Sequence, residues 1–461
     1  MQHLRVLAIL GLLLGAVSGA RAETHVVLIS IDGLRPEVYR DPKGLGLRAP
    51  NLVALRDAGT SAARMVPVFP SVTYPAHTTL VTGTRPAEHG IVSNFETGLV
   101  WYHDAAAIHS PTLWDAAEGA GLSTAIVTWP VSYGAKVDWL IPENLSFGVA
   151  DRRVLVRDGS TPGLFDELEA RCGRVEIPDF DAPYSAEKTD RMTACFAAEV
   201  IRSRRPELLL VHFLDADHQQ HAHGPDSPEA RHAFERIDAF VGELRAAVRD
   251  AGIADRTVFA IVGDHGFASV HTSVNVNALL LAAGFATLRD GKIAVSPDLR
   301  VSALGGSAAL YLREGADAVL GRRLEAALRR EVDQRWRGLV ELLGAQELEA
   351  MGAFPGAALG LAAGEGYMLI AVDSPSAVAP TSAFHLEGMH GYRPEMPAMA
   401  TGFILAGPGI RRGAELPFVR QLDVAPTLAV LLGVPLEAAL GLPIPGVLAP
   451  AALGPATGQA K

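Results

Sequence analysis

The chain has 461 residues, 49% hydrophobic and 20% charged, with a formal net charge of −11. That is ample apolar material for a large core, and it excludes a disordered chain. The acidic balance contains no dense Lys/Arg block, which excludes a protein built to grip a nucleic-acid backbone; no duplex partner is expected.

Residues 1–22 read as a signal peptide. Arg5 supplies the positive start, VLAILGLLLGAV an apolar run short of a membrane span, and Ala20-Arg21-Ala22 a small-x-small cleavage signal. The expectation is cleavage after Ala22 and export to the periplasm or extracellular space, with an uncleaved anchor as the alternative. No other run is apolar for long enough to cross a membrane, so no transmembrane segment is expected in the mature chain. Five short apolar runs then read as buried strands: HVVLISID (25–32), STAIVTWP (123–130), LLLVHFLD (208–215), TVFAIVGD (257–264) and TGFILAGP (401–408). Between them lie helical patterns. In 228–250, Ile237, Phe240, Val241, Leu244 and Val248 share one face, and in 316–332 Leu320, Leu324 and Leu328 do. Strands alternating with helices predict an α/β sheet covered on both faces. One catalytic domain is expected over 23–435. Residues 133–192 read as a lid or insertion, and 436–461, rich in Ala, Pro and Gly, as a surface tail. Cys172 and Cys195 are the only cysteines; a disulfide and two separate buried thiols both suit the sequence.

Residues that bind metal gather at the strand ends. Asp32 closes the first run, Asp217 and His221 follow the third, Asp264 and His265 close the fourth, and His390 lies in GMHGYRPEMP. Singly, each has an ordinary reading as a turn, a cap or a core histidine. Together they converge, because ligands of open α/β sheets bind beyond the carboxyl ends of the strands. The set divides into Asp217–His221–His390 and Asp32–Asp264–His265 with the Thr73 oxygen. Mixed N/O ligation with an open position suits a pair of catalytic zinc ions roughly 3.5–4 Å apart, although other divalent metals fit the same donors. Thr73 lies in FPSVTYPAHTTLVTG, between Pro70 and Pro75. A helix is expected to start at Pro75, aiming its positive end at Thr73 and at a phosphate. Zinc would lower the pKa of the Thr73 hydroxyl, making it the nucleophile. Asn94, at the end of HGIVSN, reads alone as an ordinary turn asparagine and, with this set, as a donor to a non-bridging phosphate oxygen.

These segments resemble the nucleotide pyrophosphatase/phosphodiesterase family of the alkaline phosphatase superfamily. FPSVTYPAHTTLVTGTRPAEHGIVSN is similar to its nucleophile segment, DADHQQHAHGP to its D-x-x-x-H-x-x-G-P zinc stretch, GDHGF to its Asp-His pair, MHGYRPEMP to its last zinc histidine and VVLISIDGLRP to its first strand. The resemblance implies an alkaline-phosphatase-like, largely parallel sheet with a cap. It also implies a two-zinc enzyme hydrolysing phosphodiester or pyrophosphate bonds of a small, nucleotide-like substrate through a phospho-Thr73 intermediate. It carries a base-stacking role over to Tyr74, with a core tyrosine as the alternative. A second aromatic clamp, a Tyr in nucleotide-cleaving members, falls at His212, which stacks more weakly and leaves lipid or choline diesters open. Two other readings compete: a phosphomonoesterase on the same scaffold, and a non-catalytic zinc-binding protein. TAIVTWPVSYG (124–134) has no Lys or Arg to clamp a dianion, and Thr73 is present; both facts favour the diesterase. The oligomeric state is not legible.

Overall fold

A computed structural model describes residues 24–98, 100–179, 185–315 and 318–449. The expected signal peptide lies outside the described residues. The main sheet has eight strands, here β1 (His25–Ile31), β2 (Thr60–Ala62), β3 (Thr124–Val127), β4 (Trp139–Ile141), β5 (Leu208–Phe213), β6 (Thr257–Val262), β7 (Phe403–Ala406) and β8 (Ala414–Leu416). Their order is β8-β2-β7-β6-β1-β5-β3-β4. The five strands from β6 to β4 run parallel, and β7 is antiparallel to both neighbours. β1, β5 and β6 are buried along their whole length, as strands covered on both faces must be. Alternate side chains enter two cores: Val27, Ile29 and Ile31 face one, Val26 and Leu28 the other. The expected α/β sheet is therefore present, with all five predicted strands in it.

Among the helices, α1 (Thr73–Thr82), α2 (Ser185–Arg204), α3 (Asp215–His223), α4 (Pro228–Asp250) and α5 (Val424–Leu432) bear on the site. The apolar stripe of α4 is buried as its spacing predicts. In the helix Ala318–Glu331, Leu324 and Leu328 are fully buried.

Three boundaries differ from the sequence reading. Residues 133–192 supply the edge strand β4 and send Phe165 and Leu168 into the core beneath the sheet; a three-residue strand is too short to show a pattern. The Cys172–Cys195 disulfide ties this segment to α2, with Cα atoms 6.0 Å apart. Residues 436–449, expected as a surface tail, are anchored to the body at several points. Ile444 and Val447 are buried, and the Leu440 and Gly441 amides donate to the Gly83 carbonyl at the end of α1. Finally, residues 268–399 form a smaller unit with its own apolar core, built on the antiparallel strands Leu299–Leu304, Ser307–Leu312, Val340–Gly344 and Leu359–Ala363. This unit carries His390 back to the loop ahead of Thr73: His390 Nδ1 donates to the Ser71 carbonyl at 3.1 Å, and Ser71 Oγ to the Tyr392 carbonyl at 2.7 Å.

Candidate active site

Three adjacent parallel strands deliver the acidic residues. Asp32 follows β1, its N–H bonded to the Phe213 carbonyl of β5 at 2.8 Å. Asp264 and His265 follow β6, and Asp217 lies in the first turn of α3, directly after β5. Gly33 makes the turn after Asp32 at φ +67°, and its N–H donates to Asp264 Oδ1 at 3.0 Å. A Cβ there would lie 2.6 Å from Gln220 Nε2, so both conformation and space require glycine. Asp190 on α2 accepts the Leu214 and Asp215 amides and so fixes the start of α3.

Thr73 is the first residue of α1, two residues ahead of the expected start. Val72 is extended and Pro75 sits in the third helical position, where its missing N–H is still no loss. Thr73 Oγ1 lies 3.4 Å from His265 Nε2. One turn on, His77 Nδ1 donates to the Thr73 carbonyl at 2.8 Å and lies 3.6 Å from Asp264 Oδ2. The Tyr74 N–H donates to Asn94 Oδ1 at 3.0 Å. That bond fixes the amide so that Asn94 Nδ2 is the group left to donate.

The ligand atoms form two groups on either side of His265. One is Asp32, Asp264 and His265; the other is Asp217, His265 and His390, each with its donor atoms within 4.8 Å of one another. His221, expected in the second group, joins it at Asp217: its Nε2 is 3.5 Å from Asp217 Oδ1, and His390 Nε2 is 3.7 Å from the same oxygen. His221 Nδ1 donates to the Gly388 carbonyl at 3.0 Å, which turns Nε2 toward the cluster. All seven sequence-predicted ligands thus come together.

The donor set fits metal ions on independent grounds. Asp32 Oδ1, Asp217 Oδ1 and Asp264 Oδ2 are buried with no hydrogen-bond partner among the described residues. Three orphaned carboxylate oxygens aimed at one place are costly without cations to meet them. Burial and mutual repulsion push Asp32 well above the usual carboxylate range, and burial pushes Asp217 and Asp264 up to about 7. Burial also holds His221 down to about 4 and keeps His265 and His390 well below the ordinary histidine value. Neutral imidazole is the ligating form.

Tyr74 takes the core alternative, and His212 is away from the expected clamp position. Tyr74 is 0% exposed and packs against Trp101 with centroids 5.2 Å apart; its hydroxyl donates to Glu143 Oε1 at 2.7 Å. His212 is 1% exposed, held between Glu143 and Asp32. Neither ring offers a face to a substrate base, because burial in an aromatic cluster and between two carboxylates uses both. A cleft of about 810 Å³ opens instead beside Asn94, lined by Ser93, Phe95, Tyr102, Arg300, Tyr311 and Phe354 among others. It borders the cluster through Gly305, whose neighbour Gly306 donates to the His390 carbonyl.

Glu143 and His77 escape the sequence reading. His77 was findable as the residue one turn after a helix starting at Thr73. Glu143 obeys the strand-end rule, two residues after β4, but β4 has no legible pattern.

The sequence profile of the type I phosphodiesterase/nucleotide pyrophosphatase family matches residues 26–393. The chain belongs to this family. As a family member it is similar to an uncharacterised pyrophosphatase/phosphodiesterase of Schizosaccharomyces pombe, 29% identical over 53% of this chain and 45% of that protein. It is similar too to human ectonucleotide pyrophosphatase/phosphodiesterase family member 7, 28% identical over 55% of this chain and 50% of that protein. These matches span about half the length of the curated relatives. Among solved structures, human ectonucleotide pyrophosphatase/phosphodiesterase 5 superposes with a TM-score of 0.63 at 21% identity, covering 92% of this chain and 97% of that one. An inactive murine form of the same enzyme, in complex with AMP, has a TM-score of 0.62 at 18% identity, covering 89% of this chain and 96% of that one. The alkaline-phosphatase-like fold read from the sequence is that of these enzymes.

Proposed function

We propose that this chain is an exported two-zinc phosphodiesterase that cleaves nucleotide-like phosphodiesters or pyrophosphates through a covalent intermediate on Thr73. The observation that carries the reading is the convergence of three orphaned carboxylate oxygens and three histidines in one cluster that reaches a hydroxyl at a helix start through His265. Asp32, Asp264, His265 and the Thr73 oxygen would hold one ion, and Asp217, His221 and His390 the other. Such a pair, when bound, would supply the positive charge that eases ionisation of the Thr73 hydroxyl and stabilises the phosphoryl and leaving oxygens.

The protein's own groups do the positioning. The His77 bond to the Thr73 carbonyl fixes the first turn of α1, so that Thr73 Oγ attacks phosphorus from a set direction. The Thr73 O–P bond forms as the bond to the leaving oxygen breaks; water later cleaves the Thr73 ester. Asn94 Nδ2 donates to a non-bridging oxygen, and the helix N-terminus adds partial positive charge. Residues 124–134 bring no Lys or Arg. Arg152, behind Tyr74, spends its guanidinium on the Pro178 and Asn144 carbonyls and Ser185 Oγ. A diester monoanion suits that charge balance better than a monoester dianion. The AMP held by the murine relative makes nucleotide diesters the first candidates. The cleft between Tyr102 and Arg300, rather than Tyr74, is the space for their remaining portion.

Thr73→Ala tests the mechanism. Activity on a nitrophenyl nucleotide diester is expected to fall at least about a thousandfold with zinc content unchanged. Hydrolysis that survives with zinc bound would overturn it. Wild-type rates on a nitrophenyl monoester should be much lower than on the diester; the reverse order would favour the monoesterase.

A further inference from the structure

His212 and Glu143 carry charge-bearing groups into a fully enclosed part of the molecule. His212 Nδ1 lies 2.8 Å from Glu143 Oε2, and its Nε2 lies 3.2 Å from Asp32 Oδ2. A carboxylate oxygen can accept from a ring N–H, so His212 bridges the two carboxyl groups. The Tyr74 hydroxyl takes the other Glu143 oxygen. The imidazole also packs edge-on against His77, centroids 4.4 Å apart, and His77 holds the Thr73 carbonyl.

The consequence falls on Asp32. Its Oδ2 is engaged by His212, and its Oδ1 is left bare, 3.3 Å from His265 Nε2. Burying two carboxylates and an imidazole is costly unless every group is paired, and an apolar trio would fill the same volume. The groups are instead paired in a chain that runs from Tyr74, beside the nucleophile, to the carboxylate that ends β1. Outer-shell partners of this kind orient ligands and set metal affinity.

We infer that Glu143 and His212 are positioning residues that turn Asp32 Oδ1 toward the ion shared with Asp264, His265 and Thr73. This rests on the two-metal reading above. The Asp32 carboxylate is thereby preset for that ion, and the Asp217–His221–His390 ion is not.

The test compares two amides of similar size in the full-length protein. In His212→Gln the side-chain NH₂ reaches the place of Nε2 and keeps the bond to Asp32. In His212→Asn it reaches only the place of Nδ1 and keeps the bond to Glu143. Zinc affinity of metal-stripped protein is measured by competition with a chromophoric chelator, together with KM and kcat on the diester. His212→Asn is expected to weaken one of the two zinc equivalents about 10–100-fold, and His212→Gln to recover most of that loss. kcat measured at saturating zinc should follow the same order while KM stays near the wild-type value. Equal affinities for Asn and Gln, or a loss confined to the equivalent removed by His390→Ala, would overturn the inference and leave the two-metal reading standing. Wild-type protein that binds no zinc would overturn both. If His212→Asn does not fold, Glu143→Gln replaces it: a weakened equivalent again supports the chain, and an unchanged one overturns it.

Discussion

Thr73 and Tyr74 are neighbours in sequence with opposite surroundings. Thr73 keeps 8% of its surface open beside His265, whereas Tyr74 is closed off against Trp101 and Glu143. Tyr74→Phe therefore belongs to stability. Removing the hydroxyl leaves a buried Glu143 oxygen without its donor, for an expected loss of about 1–3 kcal/mol in urea denaturation. The ratio of kcat/KM between nucleotide and simple nitrophenyl diesters should not move; a changed ratio at unchanged stability would put the ring back against the substrate. The ligands were legible at this scale because each closes an apolar run or stands in a short distinctive stretch. The roles of Tyr74 and His212 were not, because a motif fixes position along the chain and says nothing of which side of a ring is covered.

The strands β1, β5 and β6 were legible because short, continuous Val/Ile/Leu runs closed by a polar residue favour buried strands over helices. The unit formed by 268–399 was not, since strands such as Leu299–Leu304 are mostly half-buried and blur the two-residue alternation. Two elements give measurable consequences. The short helix Pro86–His89 packs on α1, with His89 Nε2 3.1 Å from Thr79 Oγ1 and Nδ1 accepting from the Ile91 amide. Burial pushes His89 down to about 3. Between about pH 6.5 and 3 the unfolded chain binds the extra proton and the folded chain does not. Stability therefore falls as pH falls, by up to about 1.4 kcal/mol per unit. His89→Gln does not titrate, so the stability gap between wild type and variant should narrow by at least about 2 kcal/mol from pH 7 to pH 4 in urea melts. A constant gap would contradict the buried neutral ring. The Cys172–Cys195 disulfide closes a sequence separation of 23. Replacing both cysteines by alanine should cost about 3 kcal/mol in urea denaturation without changing kcat.

Across the whole molecule, the ends of the main-sheet strands bring in the acidic residues, α1 brings Thr73, and the 268–399 unit brings His390 and one wall of the cleft. No helix among the described residues is long and apolar enough to cross a membrane. Assembly from distant segments predicts that metal removal disables the site as a unit: a chelator should abolish diesterase activity, and zinc should restore it. The cleft predicts a separate effect. Arg300 lies over the Tyr311 ring at 3.9 Å, and both line the cleft with Tyr102. Arg300→Ala should raise KM for nucleotide diesters severalfold with kcat little changed, measured by steady-state kinetics. The central claim is the covalent step, and peptide mass spectrometry after acid quench of enzyme turning over a nucleotide diester reaches it most directly. A substrate-derived phosphoryl adduct on the Thr73 peptide is the predicted result. Steady turnover with Thr73 unmodified, or an adduct on any other residue, would contradict it.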